Sequence, residues 1–142
     1  MVGRIIDFGM PFSLAVLISI IAFATARSTE KTLPPVALEA LMEVSLGYNE
    51  NLEWSEAMVK EALEALRSPE KANAVLKIKG KEAFSKTDPT PIGIRMIDLF
   101  KKLVEGKKEE VAELRKGAQF GCNGVIKERK QNTVVALCLY RN

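Results

Sequence analysis

The chain is 142 residues long, 47% hydrophobic and 27% charged, with 21 Lys and Arg against 18 Asp and Glu. Such a length and apolar content can bury a core, and they exclude a disordered or low-complexity chain. The sequence has no histidine and only two cysteines, which removes Ser-His-Asp and Cys-His catalysis, histidine-containing metal sites and a structural zinc site.

Phe12 to Ala26 reads FSLAVLISIIAFATA, carries no charge and closes on Ala24-Thr25-Ala26. A short apolar run ending in an A-x-A site predicts a signal peptide over residues 1–26, removed after Ala26, and hence a secreted, extracellular protein. As a helix the run would span about 22 Å at about 1.5 Å per residue. That falls short of the roughly 30 Å hydrocarbon core of a bilayer. The alternative reading keeps the segment uncleaved, as a tether for a membrane-active helical protein whose basic half faces lipid head groups.

Residues 27–142 read as one domain. Pro34-Pro35 starts a helix through VALEALMEVSL, with Leu38, Leu41, Met42 and Ser45 at helical spacing, and Gly47 stops it. A loop over 47–51 follows. Ser55 is an N-cap for a second helix whose apolar stripe is Met58, Val59, Ala62, Leu63 and Leu66. Ser68-Pro69 ends it and starts a short helix, while Ala74–Ile78 fits a helix end or a strand equally. Thr90-Pro91 repeats the cap-and-proline signal before an amphipathic helix carrying Ile92, Met96, Ile97, Phe100, Leu103 and Val104 up to Gly106. The charged KKEEVAELRK adds a turn or two before Gly117.

Then the period changes. FGCNGVIKE and TVVALCLYR, separated by Arg129-Lys130-Gln131-Asn132, predict a β-hairpin. TVVALCLY is apolar on both faces, so it should be a central strand covered by helices. The fold class is α+β, with helices packed on a small antiparallel sheet in an α-β-α sandwich-like arrangement and a β-hairpin at the C-terminus. With the hairpin loop centred on Lys130, Cys122 and Cys138 fall directly opposite each other across the two strands. In a secreted protein this placement favours a disulfide; the alternative is two free cysteines in the core.

Charge is uneven. Residues 30–70 carry a net −6 and residues 71–142 a net +8. Such asymmetry can steer an anionic partner. No aromatic side chains interleave the lysines, however, so the stacking platforms of single-strand nucleic-acid binding are missing. Glu39, Glu43, Glu53, Glu56, Glu61 and Glu64 read as solvated helix faces.

Two stretches resemble landmarks of the CAP superfamily, the secreted SCP-domain proteins related to venom allergens. Leu52-Glu53-Trp54-Ser55 with the helix EAMVKEALEAL is similar to that family's L-x-W-[DS] entry into its second helix. Phe120-Gly121-Cys122 and Val135-Ala136-Leu137-Cys138-Leu139-Tyr140 are similar to its closing I-G-C and V-x-C-x-Y strands. Its two histidines would fall near Ala40 and Lys108, so its His/Glu cavity and divalent-metal site cannot form here. The resemblance implies a reduced SCP-like α-β-α sandwich and a non-enzymatic domain binding a protein or lipid ligand, host or immune ligands included. No catalytic, cofactor-binding or metal-ligating residues are assigned. Nucleic acid is not an expected partner, and a membrane is one only if the N-terminal segment is retained.

Overall fold

The computed structural model describes residues 29–142, and the predicted signal peptide lies outside the described residues. In chain order the elements are β1 (Thr29–Thr32), α1 (Pro35–Tyr48), β2 (Glu53–Trp54), α2 (Glu56–Arg67), a 3-10 turn (Pro69–Lys71), β3 (Leu76–Phe84), α3 (Ile92–Glu105), α4 (Lys108–Ala112), β4 (Gln119–Glu128) and β5 (Asn132–Arg141). The class is α+β, in agreement with the sequence reading.

The terminal hairpin is the middle of the sheet. β4 and β5 pair antiparallel from Gln119↔Arg141 to Glu128↔Asn132, leaving a loop of Arg129, Lys130 and Gln131. β3 pairs antiparallel along the whole outer side of β5. β1 takes the far end of β4, antiparallel, and the two-residue β2 takes its near end, parallel. The sheet is therefore antiparallel but for β2. β5 is buried through Val134–Tyr140, as its two-sided apolarity requires.

Helices cover both faces. On one, α1 and α3 pack against each other and over Phe120, Cys122, Val134, Ala136, Cys138 and Tyr140. On the other, Met58, Ala62 and Ala65 of α2 cover Leu137 and Leu139. Among the described residues no helix is long and apolar enough to cross a membrane.

Local chemistry explains most boundaries. Pro35 opens α1 at a position whose N–H has no intrahelical partner anyway. The helix runs through Gly47 and stops one residue later, because Asn49 provides the stop. Its amide donates to the Val111 and Leu114 carbonyls at 2.9 and 3.3 Å, and its Oδ1 accepts from the Asn51 N–H. Ser55 caps α2, its hydroxyl accepting from the Met58 N–H at 3.3 Å. α3 differs from the reading at its start: Thr90 does not cap it, and its hydroxyl donates instead to Asp88 at 2.7 Å.

The ambiguous stretch is resolved as a strand. Leu76, Ile78 and Gly80 face the core while Lys77, Lys79 and Lys81 are exposed. Gly80 breaks the apolar alternation for a packing reason: a Cβ there would lie 2.6 Å from Leu103 Cδ1 of α3.

Candidate functional site

Cys122 and Cys138 are in register and joined by a disulfide, both fully buried beneath α1 and α3. No thiolate is therefore available for nucleophilic chemistry. Next to the bond stands an aromatic column. Trp54 meets Phe120 edge-on at 5.1 Å between centroids, and Phe120 stacks on Tyr140 at 5.8 Å. The Tyr140 hydroxyl is 2.7 Å from Ser45 Oγ. Burial pushes its pKa up to about 12, against the opposing effect of the Ser45 hydrogen bond. It stays a neutral hydroxyl that ties α1 to β5.

Arg95 is the other buried polar group of note. Its guanidinium lies 3.9 Å over the Phe84 ring, with Nη1 2.9 Å from Glu82 Oε1 and Nη2 3.1 Å from Asp88 Oδ2. The Asp88 approach lacks hydrogen-bond alignment. This clamp fixes the 85–91 loop between β3 and α3. The Thr90 backbone N–H, then the Thr90 hydroxyl, then the Arg95 guanidinium hold the Asp88 carboxyl at about 2, below its ordinary 3.8. A lowered folded pKa gives stability that is present above about pH 4 and lost as the pH falls toward about 2. Asp88→Asn should therefore flatten that acid limb when urea midpoints are measured across pH; parallel profiles for variant and wild type would contradict the linkage.

Among the described residues one surface feature with ligand-binding geometry is a groove between α1 and the first turns of α3. It has a volume of about 430 Å³ and is lined by Val36, Glu39, Ala40, Glu43, Pro91, Ile92, Gly93, Ile94 and Ile97. Val36 and Ile94 are 57% and 50% exposed at its mouth. A second hollow of about 410 Å³ shares Glu43 and Ile97 and extends to Val44, Tyr48 and Lys101. Tyr48 closes this end by donating to Glu105 Oε2 at 2.6 Å. That bond lowers the Glu105 pKa and raises that of Tyr48. Glu39 and Glu43 form the α1 wall, and among the described residues neither takes part in an ion pair. The trough is thus apolar with an anionic rim, a size typical of ligand sites.

Glu39, Glu43, Glu53, Glu56, Glu61 and Glu64 of the acidic half are not brought together as one site. Glu39 and Glu43 line the groove, Glu56 accepts from the Trp54 indole at 3.2 Å, and Glu61 pairs with Arg141 at 2.6 Å. Glu53 and Glu64 are exposed. No cluster of three or more potential metal ligands occurs among the described residues. The groove residues that sequence reasoning missed, Val36 and Ile94, lie off the apolar stripes of their helices, and an off-stripe aliphatic residue was the available signal.

Compared with known proteins, no curated protein and no solved structure matches this chain. One family model does, over residues 40–142: ES15, described as 15 kDa excretory/secretory protein. That match spans both stretches behind the resemblance to the CAP superfamily and assigns them elsewhere. The assignment to an SCP domain is therefore corrected. In physical terms, Trp54 belongs to a strand zipped to β4 by the Glu53 and Ser55 N–H groups, and the Gly121-Cys122 pattern serves a disulfide within one hairpin. The ES15 model covers most of the chain, and the protein belongs to this family of 15 kDa excretory/secretory proteins.

Proposed function

We propose that this excretory/secretory protein is a non-enzymatic binding protein whose α1–α3 groove takes an apolar, basic-flanked segment of a partner protein. The observation that carries this reading is the groove itself: exposed Val36 and Ile94 over an apolar floor, beside the carboxylates of Glu39 and Glu43, which form no ion pair among the described residues. An amphipathic helix with lysine or arginine at its margin complements such a trough in shape and charge. A fatty acid would bring its carboxylate against the same two glutamates. The non-enzymatic part is supported by the absence of histidine from the sequence and by the engagement of both cysteines in a disulfide.

A labelled amphipathic peptide of leucine and lysine is the probe. Burial of an isoleucine is worth about 1.5–3 kcal/mol, so Ile94→Asp should weaken binding by about ten-fold or more. The double variant Glu39→Lys, Glu43→Lys should weaken it further at low salt. If a fluorescent fatty acid binds and the peptide does not, the groove is a lipid site and the reading is wrong. Equal peptide affinity for wild type and Ile94→Asp would also overturn it.

A further inference from the structure

The basic half of the sequence contributes a second surface, on the sheet face opposite the groove. We propose that β3 carries there a linear site for a sulfated polysaccharide, built from Lys77, Lys79 and Lys81.

The three lysines occupy alternate positions of one strand and are all exposed. Alternate residues share a face and are spaced about 7 Å apart, so the row runs about 14 Å. Register fixes which face. Lys77, Lys79 and Lys81 lie opposite Leu139, Leu137 and Val135 of β5, and Leu137 and Leu139 pack under α2. Every residue directly opposite the row is therefore apolar, and no carboxylate faces it from the adjacent strand. Among the described residues none of the three forms an ion pair. Glu82, the nearest acid in the chain, turns to the other face and is held by Arg95.

The row is also preorganised. All nine residues of β3 pair with β5, and Leu76 and Ile78 are buried on the far face, so the strand cannot roll. Three charges in a line on a fixed strand concentrate positive potential along one narrow track, and Glu61 of the neighbouring α2 is held by Arg141. α2 flanks that track over β4 and β5. A flat bilayer would be held off by the helix, and a duplex would meet only one short row of charge. A thin, flexible chain bearing anions on successive sugars can lie along it. Association of this kind gains from release of counterions and weakens as salt rises.

The test uses a fluorescein-labelled heparin fragment and anisotropy titration at low and physiological salt. Wild type should bind with strong salt dependence. Lys77→Gln, Lys79→Gln, Lys81→Gln should lower affinity about ten-fold or more and flatten that dependence. The control Lys101→Gln, Lys102→Gln, Lys107→Gln removes equal charge from the α3 side and should retain near wild-type affinity. Circular dichroism confirms that both triple variants are folded. Equal losses in the two variants would reduce the effect to net charge and overturn the site, as would absence of heparin binding by wild type. Equally tight, equally Lys77/79/81-dependent binding to duplex DNA or to phosphatidylserine vesicles would also overturn the assignment to a polysaccharide.

Discussion

Gly121→Ala should destabilise the protein by about 3 kcal/mol or more, at the upper end of what overpacking costs. Gly121 lies on β4 where α2 crosses it. A Cβ there would sit 2.4 Å from Val59 N and 2.5 Å from Met58 C. Both are backbone atoms, so no rotamer change relieves the contact and the helix itself must lift. Lifting α2 uncovers Leu137 and Leu139 and strains the bond from the Asn123 amide to the Val59 carbonyl, now 3.1 Å. Gly47→Ala is the matched control. It sits in α1 with nothing within 4 Å of the added methyl, and it should stabilise by about 0.5–1 kcal/mol. Urea unfolding of the two variants should give midpoint shifts of opposite sign. A Gly121→Ala midpoint at or above wild type would refute the close approach.

Loss of the disulfide should have an effect of similar size. The bond closes a loop with a sequence separation of 16, for which constraint of the unfolded chain is worth about 3 kcal/mol. Against a typical total of about 5–15 kcal/mol, that is a large share. Cys122→Ala with Cys138→Ala should lower the urea midpoint accordingly, and reduced wild type should follow it. Under denaturing, non-reducing conditions the oxidised wild type should leave a maleimide unreacted. Coincident unfolding curves with and without reductant would argue against the bond's contribution.

The parts of the fold legible in the sequence are those whose signals are local. Ser55, Met58 and Ala62 define a cap and a stripe on one helix, and Val134–Tyr140 shows its double burial in its own composition. β1 and β2 were not legible. Thr29–Thr32 is a polar strand, and Glu53–Trp54 is extended because the Ala118 and Phe120 carbonyls accept from Glu53 and Ser55 at 2.8 Å. β3 shows period two in Leu76-Lys77-Ile78-Lys79, but Gly80 then replaces the next apolar residue for a reason supplied only by Leu99 and Leu103 of α3. The groove was less legible still. Val36 and Ile94 meet across two helices far apart in the chain, and no window of sequence contains both walls. The disulfide partners stand opposite each other because the hairpin register is set by a three-residue loop.

Among the described residues the outer edge of β3 pairs with no other strand, which bears on self-association. On alternate residues of the nine its backbone N–H and C=O groups point away from β5, an open template for another strand. Antiparallel pairing of two copies centred on Lys79 would set Lys79 against its counterpart and Lys77 against Lys81 of the second chain, all on one face. Like charges directly opposite disfavour such a ladder. The lysine row therefore disfavours pairing of two copies along this edge.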